Sequence, residues 1–248
     1  MQYAAAQRHA RCPSGLVPND PRISEEDQMP TPNELLAALT ALTNDWWPLA
    51  LLWHAWLGVI LLMLVSGWRP PARTLGRLTM LPVASVAVVA LITGNPFNGA
   101  MFSLLAVLLL HATIGLAEAP VRPGAGPWVA AGAALILFGW TYPHFLRDAS
   151  GSMYLYATPF GILPCPTLSV AIGVTLVFGS LRAGRWSATL TVAGILYGAV
   201  GVSVLGVLID GVLLFGALML GVAVLPGCRR VAVRPLGPER ARPVAAGR

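Results

Sequence analysis

Seven apolar runs dominate the chain, and a helix of roughly 17 to 25 residues is what crosses the hydrocarbon core of a bilayer. The runs lie at 46–66, 78–94, 97–117, 127–142, 158–180, 187–206 and 209–225. Because lipid offers the backbone no hydrogen-bond partner, such runs are stable there only as helices. Charged residues make up only 10% of the sequence, well below the roughly 25% of a soluble domain. We therefore predict an all-α integral membrane protein with about seven transmembrane helices.

Prolines set two of these runs apart from the others. The second run is short and contains Pro82, whereas the fifth contains Pro159, Pro164 and Pro166. Proline lacks the N–H of a helical hydrogen bond, and its ring clashes with the preceding turn. The first half of the fifth run therefore cannot be a regular helix.

The segments that flank the apolar runs are polar. Residues 1–28 lack the apolar core of a signal peptide, so they are either a disordered tail or a stretch that precedes a true translation start at Met29. Leucines at helical spacing over 29–45 predict an amphipathic helix that lies flat on the membrane surface. The membrane domain then covers 46–226. The basic, proline-rich residues 227–248 are expected to form a disordered cytoplasmic tail.

The arginines between the runs indicate the orientation of the chain. The loops on one side of a seven-span arrangement (94–97, 143–157 and 207–209) carry only Arg147. Because basic residues are retained in the cytoplasm, the N-terminus is expected outside and the C-terminus in the cytoplasm. We expect the plasma (inner) membrane of a bacterium. The opposite side carries Arg69, Arg73, Arg77, Arg122, Arg182, Arg185, Arg229, Arg230 and Arg234.

The residue types present exclude some classes of protein and disfavour others. All 16 basic residues are arginine, so a retinal-type photoreceptor or pump is excluded, since it needs a lysine amine for its Schiff base. The arginines are spread over several loops, so we expect no nucleic-acid partner. The histidines are isolated, and no G-x-S-x-G elbow occurs. An enzyme is therefore disfavoured, although it is not excluded.

Polar and helix-breaking residues cluster at the predicted outer ends of the spans. Asn95, Pro96 and Asn98 belong to a tight turn between the second and third spans, where we expect them to shape the turn. Polar groups at membrane depth are functional candidates by default. The remaining members of the cluster therefore form a predicted substrate or ion site. They are Tyr142, His144, Pro164, Cys165, Pro166, Thr167 and Asp210.

The thiol of Cys165, between two prolines, has three interpretations. Helical hydrogen bonds lost around it can line a polar cavity, as discontinuous helices do in transporters. Its thiolate can instead bind Cu(I) or another soft metal, with His144, Met153 or His54 as a further ligand. In the third interpretation the segment is a kink around a buried, inert cysteine. No other cofactor is expected.

Asp210, His54 and a pair of glycines are the remaining features of note. Asp210 either caps the free N–H groups at a helix N-terminus or serves as a carboxylate that couples protons or cations. His54 is either a hydrogen-bonded interfacial residue or a member of a proton path. Gly194 and Gly198 form a small-xxx-small face, which is typical of close helix packing.

The motifs around Cys165 resemble those of a family of uncharacterised bacterial multi-pass membrane proteins, domain of unknown function 6064. The resemblance extends from about Met29 to Leu225 and implies the same multi-pass architecture, with translation starting at Met29. It brings no known substrate. This chain differs from the family pattern at Thr158-Pro159, Leu168 and Ile209. The motifs that carry the resemblance are Tyr142-Pro143, Pro159-Phe160-Gly161-x-x-Pro164-Cys165-Pro166-Thr167, the Asn95-Pro96 turn and Gly206-Val207-Leu208-Ile209-Asp210.

Two functional classes follow from these observations. The favoured one is a small permease-like protein that handles a solute or a metal ion at a broken-helix site around Pro164, Cys165 and Pro166. The alternative is a non-transporting membrane sensor or assembly component, in which the same motif only shapes the fold. The expected partners are the lipid bilayer and a small solute or metal. The sequence leaves open whether the chain forms a homo-oligomer.

Overall fold

Helices account for the regular structure of the described part of the chain, which is residues 31–147 and 150–225 of a computed structural model. The all-α prediction is confirmed for these residues. The predicted tails, 1–28 and 227–248, lie outside them, together with Arg229, Arg230 and Arg234. The described residues form eight α-helices: α1 (Pro32–Asp45), α2 (Trp47–Val65), α3 (Ala72–Ile92), α4 (Pro96–Thr113), α5 (Gly126–Thr141), α6 (Pro164–Val177), α7 (Gly184–Ser203) and α8 (Gly211–Ala223).

Four of these helices, α2, α3, α4 and α7, are long and apolar enough to cross a membrane. The shorter apolar helices are Gly126–Thr141, Pro164–Val177 and Leu208–Ala223. A helix of 14 residues such as α6 is about 21 Å long, which is less than a hydrocarbon core of about 30 Å. Each predicted apolar run nevertheless overlaps with one of the helices α2 to α8.

The starts of two helices differ most from the prediction. The second run was expected to start at residue 78, but α3 begins at Ala72 and contains Pro82 within it. The fifth run was expected to start at 158, but α6 begins at Pro164, the first residue of the motif. The expectation of an irregular first half is confirmed only for residues 158–163, which are not helical, because the rest of that half belongs to α6.

The Pro-Cys-Pro motif begins a helix, so the expectation that it breaks one is wrong. Pro164 and Pro166 are the first and third residues of α6. The first N–H groups of a helix have no acceptor within it, so a proline there loses no helical hydrogen bond. The same residue type that interrupts a helix further along is therefore tolerated at this position.

Helix α6 lies at the centre of the bundle. Every residue from Pro166 to Leu176 is buried, and α6 contacts α3, α5, α7 and α8. A helix that is apolar on all sides is expected in such a position. It packs most closely on α5, where a Cβ added to Gly132 would lie 2.5 Å from the Gly173 carbonyl oxygen. The absence of side chains at these two glycines allows the backbones to touch.

The loops that carry most of the arginines meet at one end of the bundle. Isolated β-bridges join Pro71 to Pro120 and Pro123 to Phe178, so the α4–α5 loop contacts both the α2–α3 and the α6–α7 connections. The prediction that these loops share one side is confirmed for the described residues. We call this side the arginine end. It carries Arg69, Arg73, Arg77, Arg122, Arg182 and Arg185.

Helix α1 packs at the opposite end, which we call the Asp210 end. The Asn44 side chain donates a hydrogen bond to the Phe145 carbonyl oxygen at 2.8 Å and accepts one from the Arg147 backbone N–H at 3.2 Å. Leu39 and Leu42 pack against a small buried cluster that includes Ile162. The helix predicted over 29–45 is therefore present from Pro32, and its place on a membrane surface stays a prediction.

Candidate functional site

Three helix ends bring Tyr142, Cys165 and Asp210 into contact at the Asp210 end. The Tyr142 hydroxyl donates a hydrogen bond to Asp210 Oδ1 at 2.6 Å. The Cys165 thiol donates one to Asp210 Oδ2 at 3.2 Å. We call these three residues the Asp210 triad. Each carboxylate oxygen thus has its own donor, and each donor comes from a different helix.

The local sequence around each triad residue explains its position. Tyr142 follows α5 with an extended ψ of 108°, and Pro143 after it disfavours a helical conformation. Cys165 is held in the first turn of α6 by the prolines on both sides. Asp210 ends a short 3₁₀ turn that precedes α8, and Gly206 before that turn has a φ of +69°, which glycine adopts readily.

Two of the three triad residues are buried. Asp210 is 2% exposed and Tyr142 is fully buried, whereas Cys165 is partly exposed. Helix α7 covers the carboxylate at Gly201, where an added Cβ would lie 2.1 Å from Asp210 Oδ2. Burial of an acidic group is unfavourable unless it is hydrogen-bonded, and here both oxygens are.

Asp210 does not cap α8 with its side chain, because no hydrogen bond from a helix N–H to its carboxylate is present. The capping interpretation is therefore wrong. Its carboxylate instead points to α5 and α6, where it accepts the hydrogen bonds of the triad.

Two other predicted site residues, His144 and Thr167, lie outside the triad. The His144 ring packs on Phe145 with 4.3 Å between ring centroids and is close enough to interact electrostatically with Asp210. The Thr167 hydroxyl accepts a hydrogen bond from the Gly161 N–H at 2.9 Å and donates one to the Leu163 carbonyl oxygen at 2.7 Å. Thr167 therefore fastens the turn before α6.

His54 is buried in a separate cluster, where both ring nitrogens have partners. Nδ1 lies 2.7 Å from the Ala50 carbonyl oxygen, and Nε2 lies 2.9 Å from that of Trp140 and 3.0 Å from the Thr158 hydroxyl. The interpretation as a hydrogen-bonded residue is the one that this geometry favours. With both nitrogens engaged, His54 offers no free ligand atom for a metal on Cys165.

No group of three or more His, Cys, Asp and Glu side chains able to hold a metal occurs within residues 31–147 and 150–225. Cys165 and Asp210 are adjacent, and His144 is near them. A soft metal at Cys165 therefore stays a prediction.

The turn between α3 and α4 is as predicted, and it also holds a contact that was not expected. The Asn95 side chain accepts a hydrogen bond from the Asn98 N–H at 3.1 Å, and Pro96 is the first residue of α4. The Asn98 side chain in turn accepts a hydrogen bond from the Tyr197 hydroxyl at 2.9 Å. Sequence analysis did not single out Tyr197. Its hydroxyl group within the apolar run of α7 was the signal that could have marked it as a candidate for an interhelical hydrogen bond.

Comparison of the chain with protein-family models, with curated proteins and with solved structures finds no match.

Proposed function

We propose that the chain is a seven-span integral protein of a bacterial plasma membrane, with the Asp210 end outside and the arginine end in the cytoplasm. Support for the orientation comes from the arginines gathered at one end, since basic residues are retained on the cytoplasmic side. Membership of the family named above is part of the same proposal. Alkaline phosphatase is active only outside the cytoplasm, so its fusion after Arg182 should be inactive and its fusion after Ser150 active. The reverse pattern would overturn the orientation.

We further propose that the protein is permease-like and handles a small solute or cation at the Asp210 triad. The observation that carries this proposal is the buried Asp210 carboxylate with a donor on each oxygen. An ionisable side chain at membrane depth is a functional candidate by default. Because its two donors belong to α5 and α6, separation of these helices from α8 would free the carboxylate.

The chemistry of the freed triad limits what it can take. It would present one carboxylate, one phenol and one thiol, with His144 close enough to Asp210 for an electrostatic interaction. Such a group suits a proton, a small cation or a solute that donates hydrogen bonds. A soft metal ion such as Cu(I) is a further candidate, because thiolate sulfur is its preferred ligand. In the metal version, purified protein should retain Cu(I), and Cys165→Ser should lose it.

Access to Cys165 from outside tests the proposal. In a chain with Cys12→Ser and Cys228→Ser, only Cys165 can react with an impermeant thiol reagent. Tyr142→Phe removes one hydrogen bond that keeps the triad closed. If that bond contributes about 1.4 kcal/mol, the open fraction and the labelling rate should rise about tenfold. The matched control Tyr197→Phe removes a hydroxyl that bonds to Asn98 instead and should leave the rate unchanged.

The alternative is a non-transporting sensor or assembly component in which the triad only fastens three helices. The observation in its favour is that the three side chains satisfy one another in the closed structure. This alternative predicts that Cys165 is unreactive from both faces in every variant and that Cys165→Ala leaves the growth of the host unchanged. That combined result would overturn the permease proposal.

A further inference from the structure

A cluster of basic side chains at the arginine end lies outside the proposed triad site. Arg77 of α3 and His111 of α4 line a cavity of about 360 Å³. Arg185, in the first turn of α7, lies with its Nη1 atom 3.5 Å from His111 Nε2. Three helices therefore contribute basic side chains to one cluster, Arg77 as a lining residue of the cavity that His111 also lines and Arg185 as a neighbour of His111.

Among residues 31–147 and 150–225, no carboxylate forms an ion pair with either guanidinium group of this cluster. The ion pair of Arg73 with Glu118, at 2.6 Å, involves neither Arg77 nor Arg185. Both of these arginines are exposed. Two exposed positive charges in one cluster, with no ion-paired acid among the described residues, favour binding of an anion, and phosphate is an anion that arginine binds in a bidentate manner.

The wall of the cavity below the cluster is apolar. Val107, Leu110, His111 and Ile114 follow one another at helical spacing, so they share one face of α4. Val107 is 63% exposed, Leu110 50% and Ile114 64%. A water-soluble anion gains nothing from such a face, whereas a molecule with an anionic head and a hydrocarbon chain matches both parts of the cavity.

We propose that Arg77, His111 and Arg185 bind the phosphate headgroup of an anionic phospholipid, with its acyl chain along the exposed face of α4. Basic pockets between transmembrane helices on the cytoplasmic side are suited to such headgroups. The proposal rests on the membrane placement proposed above and not on the Asp210 triad.

Native mass spectrometry of the full chain in neutral detergent provides the test. The probes are phosphatidylglycerol and phosphatidylcholine with identical acyl chains. Each basic residue near an anionic lipid surface contributes about 1 kcal/mol, which is about a fivefold change in affinity. Each of R77Q and R185Q should therefore weaken phosphatidylglycerol binding about fivefold and the double variant about 25-fold. Binding of phosphatidylcholine should not change.

The matched control is R122Q, which removes an exposed arginine from the same end of the bundle but outside the cluster. It should change the affinity less than twofold. Because all three arginines are exposed, the variants should keep the thermal stability of the lipid-free wild-type protein, which is measured in parallel.

Three results would overturn the proposal. The first is equal binding of phosphatidylglycerol by the wild type and the double variant. The second is competition by inorganic phosphate as effective as that by the lipid, which would make the cluster a site for a free anion. The third is a lipid-free dimer that the double variant disrupts, which would assign the face to a second copy of the chain. Failure of the membrane placement itself would appear earlier, as recovery of the chain in the soluble fraction of cells.

Discussion

The hydrogen bond between Tyr142 and Asp210 should be measurable as a coupling energy between the two side chains. The perturbation is a double-mutant cycle of Tyr142→Phe, Asp210→Ala and their combination. Tyr142→Phe removes only the hydroxyl that donates to Asp210 Oδ1, and the ring stays in contact with Phe138 and Phe145. The cavity left by Asp210→Ala is common to both halves of the cycle, so its effect cancels.

The expected coupling energy is about 1.5 kcal/mol. Hydrogen bonds to charged groups contribute about 1.5 to 3 kcal/mol in proteins generally. Between membrane helices the measured average is nearer 0.6 kcal/mol, with a maximum of about 1.7 kcal/mol. The distance of 2.6 Å is that of a strong O–H···O⁻ bond, and both residues are buried. These two features place the pair near the top of the range for membrane helices.

The assay is the free energy of unfolding in mixed micelles titrated with a denaturing detergent. A parallel cycle of Tyr197→Phe with Asp210→Ala is the control, because the Tyr197 hydroxyl donates to Asn98. That cycle should be additive within about 0.5 kcal/mol. A Tyr142–Asp210 coupling that is no larger than the control value would refute the argument that these side chains hold the helices together.

Two further predictions concern the backbone around the triad. Gly201→Ala should destabilise the protein by about 1 to 3 kcal/mol, since its Cβ would lie 2.1 Å from Asp210 Oδ2. In the control Gly211→Ala, the atom nearest to the new Cβ lies 3.9 Å away. The free energy of unfolding of this control should therefore change by less than about 0.5 kcal/mol. Equal effects in a detergent unfolding titration would contradict the close approach of α7. Pro164→Ala and Pro166→Ala should each cost no more than about 1 kcal/mol, because both prolines lie in the first turn of α6 and act mainly on the unfolded chain. A loss above about 2 kcal/mol in either variant would mean that the ring itself is essential to the fold.

Much of the fold was predictable because hydrophobic length is a local property of the sequence. Seven apolar runs coincide with α2 to α8, and the arginine-bearing connections lie on one side as their alternation along the chain required. The start of α3 was not predictable in the same way. Arg73 and Arg77 lie before the apolar run, so the run alone does not indicate that the helix already begins at Ala72. Contacts with the α4–α5 loop support this first part of α3, such as the ion pair of Arg73 with Glu118.

The members of the candidate site were predictable in part. Tyr142, Cys165 and Asp210 each stood out as unusual residues at the same end of three predicted spans. Thr167 stood out in the same way, but its hydroxyl fastens the turn at Gly161. Tyr197 was missed because its apolar run gives no indication of a partner 99 residues away. A hydrogen bond depends on distance and angle, and the residue type alone specifies neither.

The sequence by itself determined that this chain forms apolar helices and which of their ends carry positive charge, because both follow from residue type and spacing along the chain. Only the tertiary structure decided that Pro164 and Pro166 start a helix and that both oxygens of Asp210 are occupied. The same holds for the approach of Arg185 to His111 beside the cavity that Arg77 lines. These outcomes depend on how closely the helices approach one another, and that distance is set by packing around residues such as Gly132 and Gly201 at positions far apart in the chain.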